Sequence, residues 1–184
     1  MKILFLSFAV TFLFSLSDTK RAAENGRIEI TVSYERQAGP GSNQYAIWFE
    51  NAQGQLVKTL FVTNYTAQGG YEIRPDCTPM WVGKANPASL SKEEVDAFSG
   101  ATPQTGDHIY TWDLTDDKGN PVTAGEYTFY FEATLLGKSK VIYKDVISVR
   151  GKEVSINPKP EFSSEETQNK GMIKSVKATY LPSN

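Results

Sequence analysis

The feature that most constrains the fold is the strict alternation of apolar and polar residues in the segment 126–135. Tyr127, Phe129, Phe131, Ala133 and Leu135 fall on one side of an extended chain, and polar residues fall mainly on the other. Successive side chains of a β-strand point to opposite faces, so a period of two predicts a strand with one face in a core. A strand of this kind cannot fold alone and requires further strands to pair with and to pack against.

Six other segments carry strand signals and are separated by turn residues. They are 27–34, 44–51, 55–63, 108–114, 140–150 and 172–181, with a hairpin turn at 52–54 between the second and third. About seven short strands with little helix predict an all-β fold, an antiparallel β-sandwich of immunoglobulin-like type. One short helix is expected before the sequence Ser-Gly-Ala-Thr at 99–102, and residues Met80 to Val82 predict a helical turn.

The chain has 184 residues, which is enough for one ordinary domain. Residues 1–17 have the Lys2 and apolar run of a secretory signal peptide and end in small residues, so an exported or periplasmic protein with no membrane span after signal removal is expected. An N-terminal arm is predicted at 18–26 and the sandwich domain at 27–150. A polar connector is predicted at 151–170, followed by a C-terminal strand within 171–184.

Composition excludes several classes of function. The formal net charge is −2, without a basic stripe, which argues against a nucleic-acid partner. Cys77 is the only cysteine and His108 the only histidine, so neither an intramolecular disulfide nor a Cys- or His-rich metal site is expected. Asp113, Asp116 and Asp117 do not have the spacing of a calcium-binding EF-hand loop and are interpreted as turn residues.

The segment 96–103 is the strongest candidate for a functional site. Ser91 and Glu94 are spaced as a capping box, which predicts the start of a helix. Gly100 suits the left-handed position that ends a helix, and Pro103 favours an extended conformation at Thr102. The expected result is an exposed Thr102 between small residues. The same composition is also typical of a plain helix-to-strand connector.

The pattern Asp-x-x-Ser-Gly-Ala-Thr resembles the acceptor motif of proteins that carry covalent flavin mononucleotide (FMN). In those proteins a separate Mg²⁺-dependent flavin transferase takes FMN from FAD and joins it by a phosphoester to the last Thr or Ser. A threonine hydroxyl is a weak nucleophile, and a transferase would supply the base and metal that activate it. Small neighbours would let the backbone enter a foreign active site.

A second motif links the chain to a family. Residues 112–127 resemble the Trp-Asp…Asp-x-x-Gly…Val-x-x-Gly-x-Tyr hairpin of exported bacterial immunoglobulin-like modules, including the flagellar hook-capping type, in which these residues shape a turn. Together with 96–102, Trp81, Gly106, His108 and 45–51, this order of motifs is similar to a family of predicted bacterial periplasmic proteins, domain of unknown function 2271. The resemblance covers roughly 27–149.

The resemblance implies an exported domain associated with flavin transfer and with membrane redox partners of the PepSY type. Thr102 matches the acceptor, and the recognition residues around it are Asp96, Ser99, Gly100 and Ala101. Trp81, Tyr110 and Trp112 are candidates to pack on the flavin ring, although each is also a natural core residue. His108 is a candidate to bond the phosphate or a ring oxygen, and is equally typical of a wet strand end.

Two hypotheses of function follow from the sequence. The first is a periplasmic domain that carries covalent FMN on Thr102 for extracytoplasmic electron transfer and is not itself an enzyme. The alternative is a cofactor-free structural or partner-binding module of the cell envelope. A hydrolase is a distant third, because one histidine and no recognisable nucleophile arrangement leave little to build a catalytic set from.

Overall fold

The computed structural model describes residues 26–39, 43–163 and 169–183. The expected signal peptide at 1–17, and the N-terminal arm up to residue 25, lie outside the described residues. Ten strands follow one another along the described chain: β1 Arg27–Tyr34, β2 Gln44–Asn51, β3 Leu56–Thr63, β4 Ser99–Gly100, β5 Gly106–Trp112, β6 Gly125–Leu136, β7 Ser139–Val149, β8 Val154–Ile156, β9 Pro160–Phe162 and β10 Ile173–Leu181.

The strands form two sheets that pack face to face. One sheet has four strands in the order β5-β1-β10-β8, and the other has six in the order β4-β3-β2-β6-β7-β9. All pairs are antiparallel except β3 and β4, which run parallel. The all-β sandwich predicted from the sequence is therefore confirmed. The seven predicted strands are the seven long ones, and β4, β8 and β9 are short additions.

The core lies between the two sheets and is built from the residues that the alternation had placed inside. On β6 all five apolar residues at odd positions from Tyr127 to Leu135 are buried, and on β1 Ile28, Ile30 and Val32 have no exposed surface. Aromatic rings join the sheets across this core. The Phe49 ring stacks on that of Trp112 with centroids 4.3 Å apart. The sandwich is thus held mainly by apolar burial between the sheets.

A layer of short helices covers the outer face of the six-stranded sheet. It consists of a kinked helical turn at Thr66–Gly70, α1 Tyr71–Ile73, α2 Pro79–Ala85, a 3₁₀ turn at Pro87–Ser89 and α3 Lys92–Phe98. A second apolar cluster forms beneath it, including Trp48, Trp81 and Val95. This second layer explains why the first seven residues of β2, Gln44 to Glu50, are buried on both faces. The helical turn predicted at 80–82 is part of α2.

A buried carboxylate fixes the helical layer to the sheet. Glu132 of β6 has no exposed surface, and its carboxylate accepts hydrogen bonds from the backbone N–H groups of Met80 at 3.2 Å and Trp81 at 3.0 Å. These N–H groups belong to the first turn of α2, where no carbonyl of the helix can accept them. Lys140 Nζ lies 3.8 Å from the same carboxylate. Burial raises the pKa of Glu132 even though the N–H bonds and Lys140 oppose that shift.

The segment 151–170 differs from the expected connector. Its described part contains β8, which pairs with β10, and β9, which pairs with β7, so it adds an edge strand to each sheet. Val154 and Ile156 pack against the core, and Pro158 is buried. An edge strand tolerates prolines and charged residues that a central strand does not. These residues made the two strands unrecognisable from the sequence pattern.

Candidate functional site

The short helix predicted before the Ser-Gly-Ala-Thr sequence is α3, and its start is the expected capping box. Ser91 Oγ accepts the N–H of Glu94 at 3.2 Å, and Glu94 Oε2 accepts the N–H of Ser91 at 2.7 Å. Asp96 lies exposed on α3 and forms an ion pair with Lys92 one turn earlier. The helix thus places Asp96 on the surface, six residues before Thr102.

Gly100 has a different role from the one predicted for it. It does not have a positive φ, and the residue that ends α3 is Ser99, in an extended conformation with φ −87° and ψ 144°. Ser99 and Gly100 form β4 beside Val62 and Thr63 of β3. A Cβ atom at Gly100 would lie 2.4 Å from Cε2 of Phe61. Glycine is required here because the backbone passes against an aromatic ring, not because the helix ends in a left-handed turn.

Thr102 lies in the irregular segment between β4 and β5. It is half-buried, not exposed as the sequence predicted, while Ala101 before it is exposed. Across the described part of the chain, no hydrogen bond involves the Thr102 hydroxyl. Downstream, the N–H of Arg36 donates to Thr105 Oγ1 at 3.0 Å. The segment is therefore tied to the sandwich on both sides of Thr102, by β4 before it and by Thr105 after it.

His108 supplies a further tie for the same segment. Its Nε2 lies 2.7 Å from the carbonyl oxygen of Gln104. A carbonyl oxygen can only accept, so Nε2 carries the hydrogen and donates it. The imidazole also packs edge-on to Tyr34, with ring centroids 6.2 Å apart. His108 was expected to bond the flavin phosphate or a ring oxygen. In the structure its Nε2–H instead holds the backbone carbonyl of Gln104, two residues after Thr102.

The two tryptophans considered for ring packing are core residues. Trp81 has no exposed surface, donates its Nε1–H to Thr59 Oγ1 at 3.2 Å and meets Phe98 edge-on. Trp112 is equally buried, and its Nε1–H donates to the carbonyl of Thr115 at 2.7 Å. Neither indole has a face open to a flat ligand, because the helical layer covers Trp81 and the sandwich core encloses Trp112.

An aromatic cluster connects the Gly100 region to the core. The Phe61 ring, against which Gly100 packs, lies 4.9 Å from that of Tyr110 and 5.2 Å from that of Tyr45. The Tyr45 and Tyr110 hydroxyls form a short hydrogen bond with each other. Burial raises the pKa of both phenols, and it raises the pKa of Tyr34 to about 12. These phenols therefore stay neutral at physiological pH and can act as hydrogen-bonding dipoles but not as bases.

Sequence reasoning missed Tyr65, which is the single exposed tyrosine of the described chain, at 42% exposure. It follows β3 by two residues and precedes the kinked helical turn Thr66–Gly70. No pattern in the sequence singled out Tyr65.

The acidic, cysteine and turn residues considered in the sequence have the following surroundings. Among the described residues, no group of three or more His, Cys, Asp or Glu side chains could hold a metal ion. The Cys77 thiol is buried, and burial raises its pKa. Asp116 Oδ1 accepts the N–H groups of Lys118 and Asn120, as expected of a turn residue. No helix in the described ranges has the length and apolar character needed to cross a membrane.

The hairpin of the second motif has the structural role that the resemblance implied. Asp113 Oδ1 accepts both the N–H and the hydroxyl of Thr115, and Tyr127 OH donates to the carbonyl of Thr123 at 2.6 Å. One prediction at its start was wrong. The strand β5 ends at Trp112 and not at Leu114, because Asp113 already bonds into the turn and Leu114 has a positive φ of 60°.

Comparison with known proteins agrees with this resemblance. The model of one protein family, described as predicted periplasmic protein (domain of unknown function 2271), matches residues 26–164. No curated protein and no solved structure matches the chain. The family match spans the strands β1 to β9, the helical layer, the motif at 96–102 and the hairpin at 112–127, and it ends before β10. The chain therefore belongs to the domain of unknown function 2271 family of predicted periplasmic proteins, and it is periplasmic or otherwise exported.

Proposed function

We propose that this protein is a periplasmic electron carrier that holds FMN through a phosphoester on Thr102. The observation that carries the proposal is the state of that hydroxyl. It belongs to the final residue of an Asp-x-x-Ser-Gly-Ala-Thr sequence, it makes no hydrogen bond among the described residues, and its segment is neither helix nor strand. A segment of this kind can enter the active site of a second protein without disrupting a sheet.

The attachment step is a phosphoryl transfer from FAD by a Mg²⁺-dependent flavin transferase. The oxygen of Thr102 attacks the phosphorus next to riboflavin, a new P–O bond forms, and the anhydride bond to the AMP half breaks. AMP leaves, and the hydroxyl proton passes to a base of the transferase. The protein gains the mass of FMN less one water. The transferase supplies the activation, since no base bonds to the Thr102 hydroxyl within the described structure.

The residues around Thr102 fit the attachment of FMN to its hydroxyl better than they fit the contacts with the flavin ring that were expected of the tryptophans. Gly100 and Ala101 present little bulk, and β4 and Thr105 hold the ends of the segment. Trp81 and Trp112 are buried and do not fit the packing expected of them. When bound, FMN would supply one- and two-electron redox chemistry, and the protein would position it. Asp96, Ser99, Gly100 and Ala101 would be the residues that the transferase recognises.

The electron partner that we propose is a membrane redox protein of the PepSY type. We further propose that the sandwich serves as an immunoglobulin-like carrier domain. The packed antiparallel sheets and the bonded hairpin at 112–127 support this type. The order of strands is a variant, because β1 and β2 lie in different sheets, whereas the first two strands of an immunoglobulin constant domain share one.

Co-expression with a flavin transferase tests the proposal. Wild type should become yellow, keep its colour after denaturation and gain the mass of FMN less water on the peptide that contains Thr102. Thr102→Ala should stay colourless, Thr102→Ser should still be modified, and Thr111→Ala, which removes an exposed threonine on β5, is the matched control. A wild-type protein that remains unmodified, beside a second substrate that the same transferase does modify, would refute the proposal.

The second candidate is a cofactor-free structural or partner-binding module. The burial of both tryptophans favours it, because the surface near Thr102 then lacks the ring contacts that were expected of them. In that case Thr102→Ala would change neither the mass nor the capture of envelope partners. Binding would instead map to the loops at one end of the sandwich, and loop substitutions would abolish it.

A further inference from the structure

Tyr65 and Thr102 occupy equivalent positions at the end of two paired strands. β3 and β4 run parallel, and their last pairs are Val62 with Ser99 and Thr63 with Gly100. Tyr65 and Thr102 each follow the last pair by two residues. Neighbouring strands lie about 5 Å apart and two residues span at most about 7 Å, so the two Cα atoms are within about 19 Å of each other. A group attached to Thr102 is thus anchored at the same corner of the molecule as Tyr65.

The chain holds the Tyr65 ring in place with unusual local structure. A Cβ atom at Gly70 would lie 2.2 Å from the carbonyl oxygen of Tyr65, 2.5 Å from its Cε1 and 2.6 Å from its Cδ1, so both the backbone and the ring of Tyr65 lie against the Gly70 backbone. Gly69 has φ +95°, which only glycine adopts without strain. A kinked helical turn with two glycines therefore lies against one ring that remains 42% exposed. The core needs no such arrangement, since its tyrosines are buried by ordinary strand packing.

A groove elsewhere on the surface is a weaker candidate for the ring of a bound flavin. It has a volume of about 420 Å³ and lies between α3 and β3, with Leu60, Ala97 and Phe98 among its lining residues. Leu60 precedes Thr63 by three residues, which is roughly 10 Å along the strand. The chain runs from β4 to Thr102 in the opposite direction, so the groove lies behind the attachment point, whereas Tyr65, like Thr102, follows the end of its strand.

We propose that Tyr65 stacks on the isoalloxazine ring of the flavin carried by Thr102. The inference rests on the proposed function and adds to it the surface that receives the ring. A phenol ring fixed on a glycine backbone offers a flat face whose side-chain entropy is already lost, which favours stacking with a planar heteroaromatic group. Stacking of this kind would keep the tethered ring beside the protein and away from free rotation in solvent.

Flavin emission of the loaded protein tests the inference, because a ring stacked on a phenol fluoresces weakly and a free ring fluoresces strongly. Tyr65→Ala should shift the ratio of stacked to free ring by about two- to tenfold, the range expected for one aromatic pair. Emission and accessibility to iodide should rise together. Tyr65→Phe keeps an aromatic face, so its iodide accessibility should stay at the wild-type value even though a benzene ring quenches flavin emission less than a phenol does. Ile109→Ala, which removes an apolar side chain 67% exposed on β5, is the matched control.

The mass of each variant separates the two proposals. A modified Tyr65→Ala protein whose emission and iodide accessibility equal those of wild type and Ile109→Ala would overturn the role of Tyr65 and leave flavin attachment standing. An unmodified wild type, in the presence of an active transferase, would overturn the attachment itself. A rise in iodide accessibility in Tyr65→Ala that is absent from Tyr65→Phe and Ile109→Ala would support both.

Discussion

Alanine substitutions at Gly100 and at Gly83 should change the stability of the protein in opposite directions, because the fold requires a glycine at position 100 and not at position 83. At Gly100 an added methyl would lie 2.4 Å from Cε2 of Phe61, about 1 Å closer than an ordinary carbon contact. The Phe61 ring is packed against Tyr45 and Tyr110 and has little room to move. Overpacking of this kind costs about 1–3 kcal/mol of the free energy of unfolding.

Gly83 is the matched control. It lies exposed within α2, and nothing would come within 4 Å of an added Cβ atom. Alanine has a higher helix propensity than glycine, so Gly83→Ala should stabilise the protein by about 0.5–1 kcal/mol. The two variants should therefore differ by roughly 1.5–4 kcal/mol, measured by urea denaturation with the slope held equal.

A third and a fourth variant decide why Gly100 is needed. If Gly100 ended the helix in a left-handed conformation, Gly100→Asn would be tolerated better than Gly100→Ala. If the contact with Phe61 is the reason, Asn should be at least as destabilising as Ala, and Phe61→Leu should relieve part of the cost of Gly100→Ala. A double-mutant cycle measures that coupling. Additive effects of Phe61→Leu and Gly100→Ala would refute the packing argument.

Two further predictions concern buried polar groups. Burial raises the pKa of Glu132 above its unfolded value, so the contribution of Glu132 to stability is full below the unfolded pKa and is lost as pH rises through the folded pKa. In urea denaturation from pH 4 to pH 8, Glu132→Gln should therefore become more stable relative to wild type as pH rises. A constant difference between the two proteins would contradict this. Thr78 Oγ1 is buried without a hydrogen-bond partner among the described residues, so Thr78→Val should raise the free energy of unfolding by about 1 kcal/mol, and a loss of that size would mean that the hydroxyl is bonded after all.

The long strands were predictable because their pattern is local. Every apolar residue that the alternation assigned to the inner face of β6 is buried, and β1 behaves in the same way. The hairpin between β2 and β3 was equally readable from its turn residues. The local pattern of each long strand thus determines which of its residues are buried, so the core residues could be predicted without knowing which strands pair.

Features that depend on distant parts of the chain were not predictable. Gly100 contacts Phe61, which is 39 residues earlier, and from the sequence alone a glycine after a helix is best explained as a helix end. Trp81 is buried because a helical layer covers the six-stranded sheet, and no local pattern indicated that second layer. The strands β8 and β9 have only three residues each, and β9 begins with a proline, so they lack the alternation that identifies longer strands.

The sequence motif located the candidate site, but the predicted exposure of Thr102 was wrong. The small neighbours of Thr102 predicted an exposed residue, but the ties of Thr105 to Arg36 and of Gln104 to His108 hold its segment against the sandwich. Both ties involve backbone groups, which the sequence does not reveal. Tyr65 lay outside the motif, and its relation to Thr102 exists only through the pairing of β3 with β4.

The central claim is that Thr102 carries FMN in the cell, and the intact mass of the mature protein purified from its native envelope tests it most directly. The account predicts an added mass of FMN less one water, found on the peptide that contains Thr102. An unmodified mass from cells in which a flavin transferase modifies another protein would contradict the account and favour the cofactor-free module.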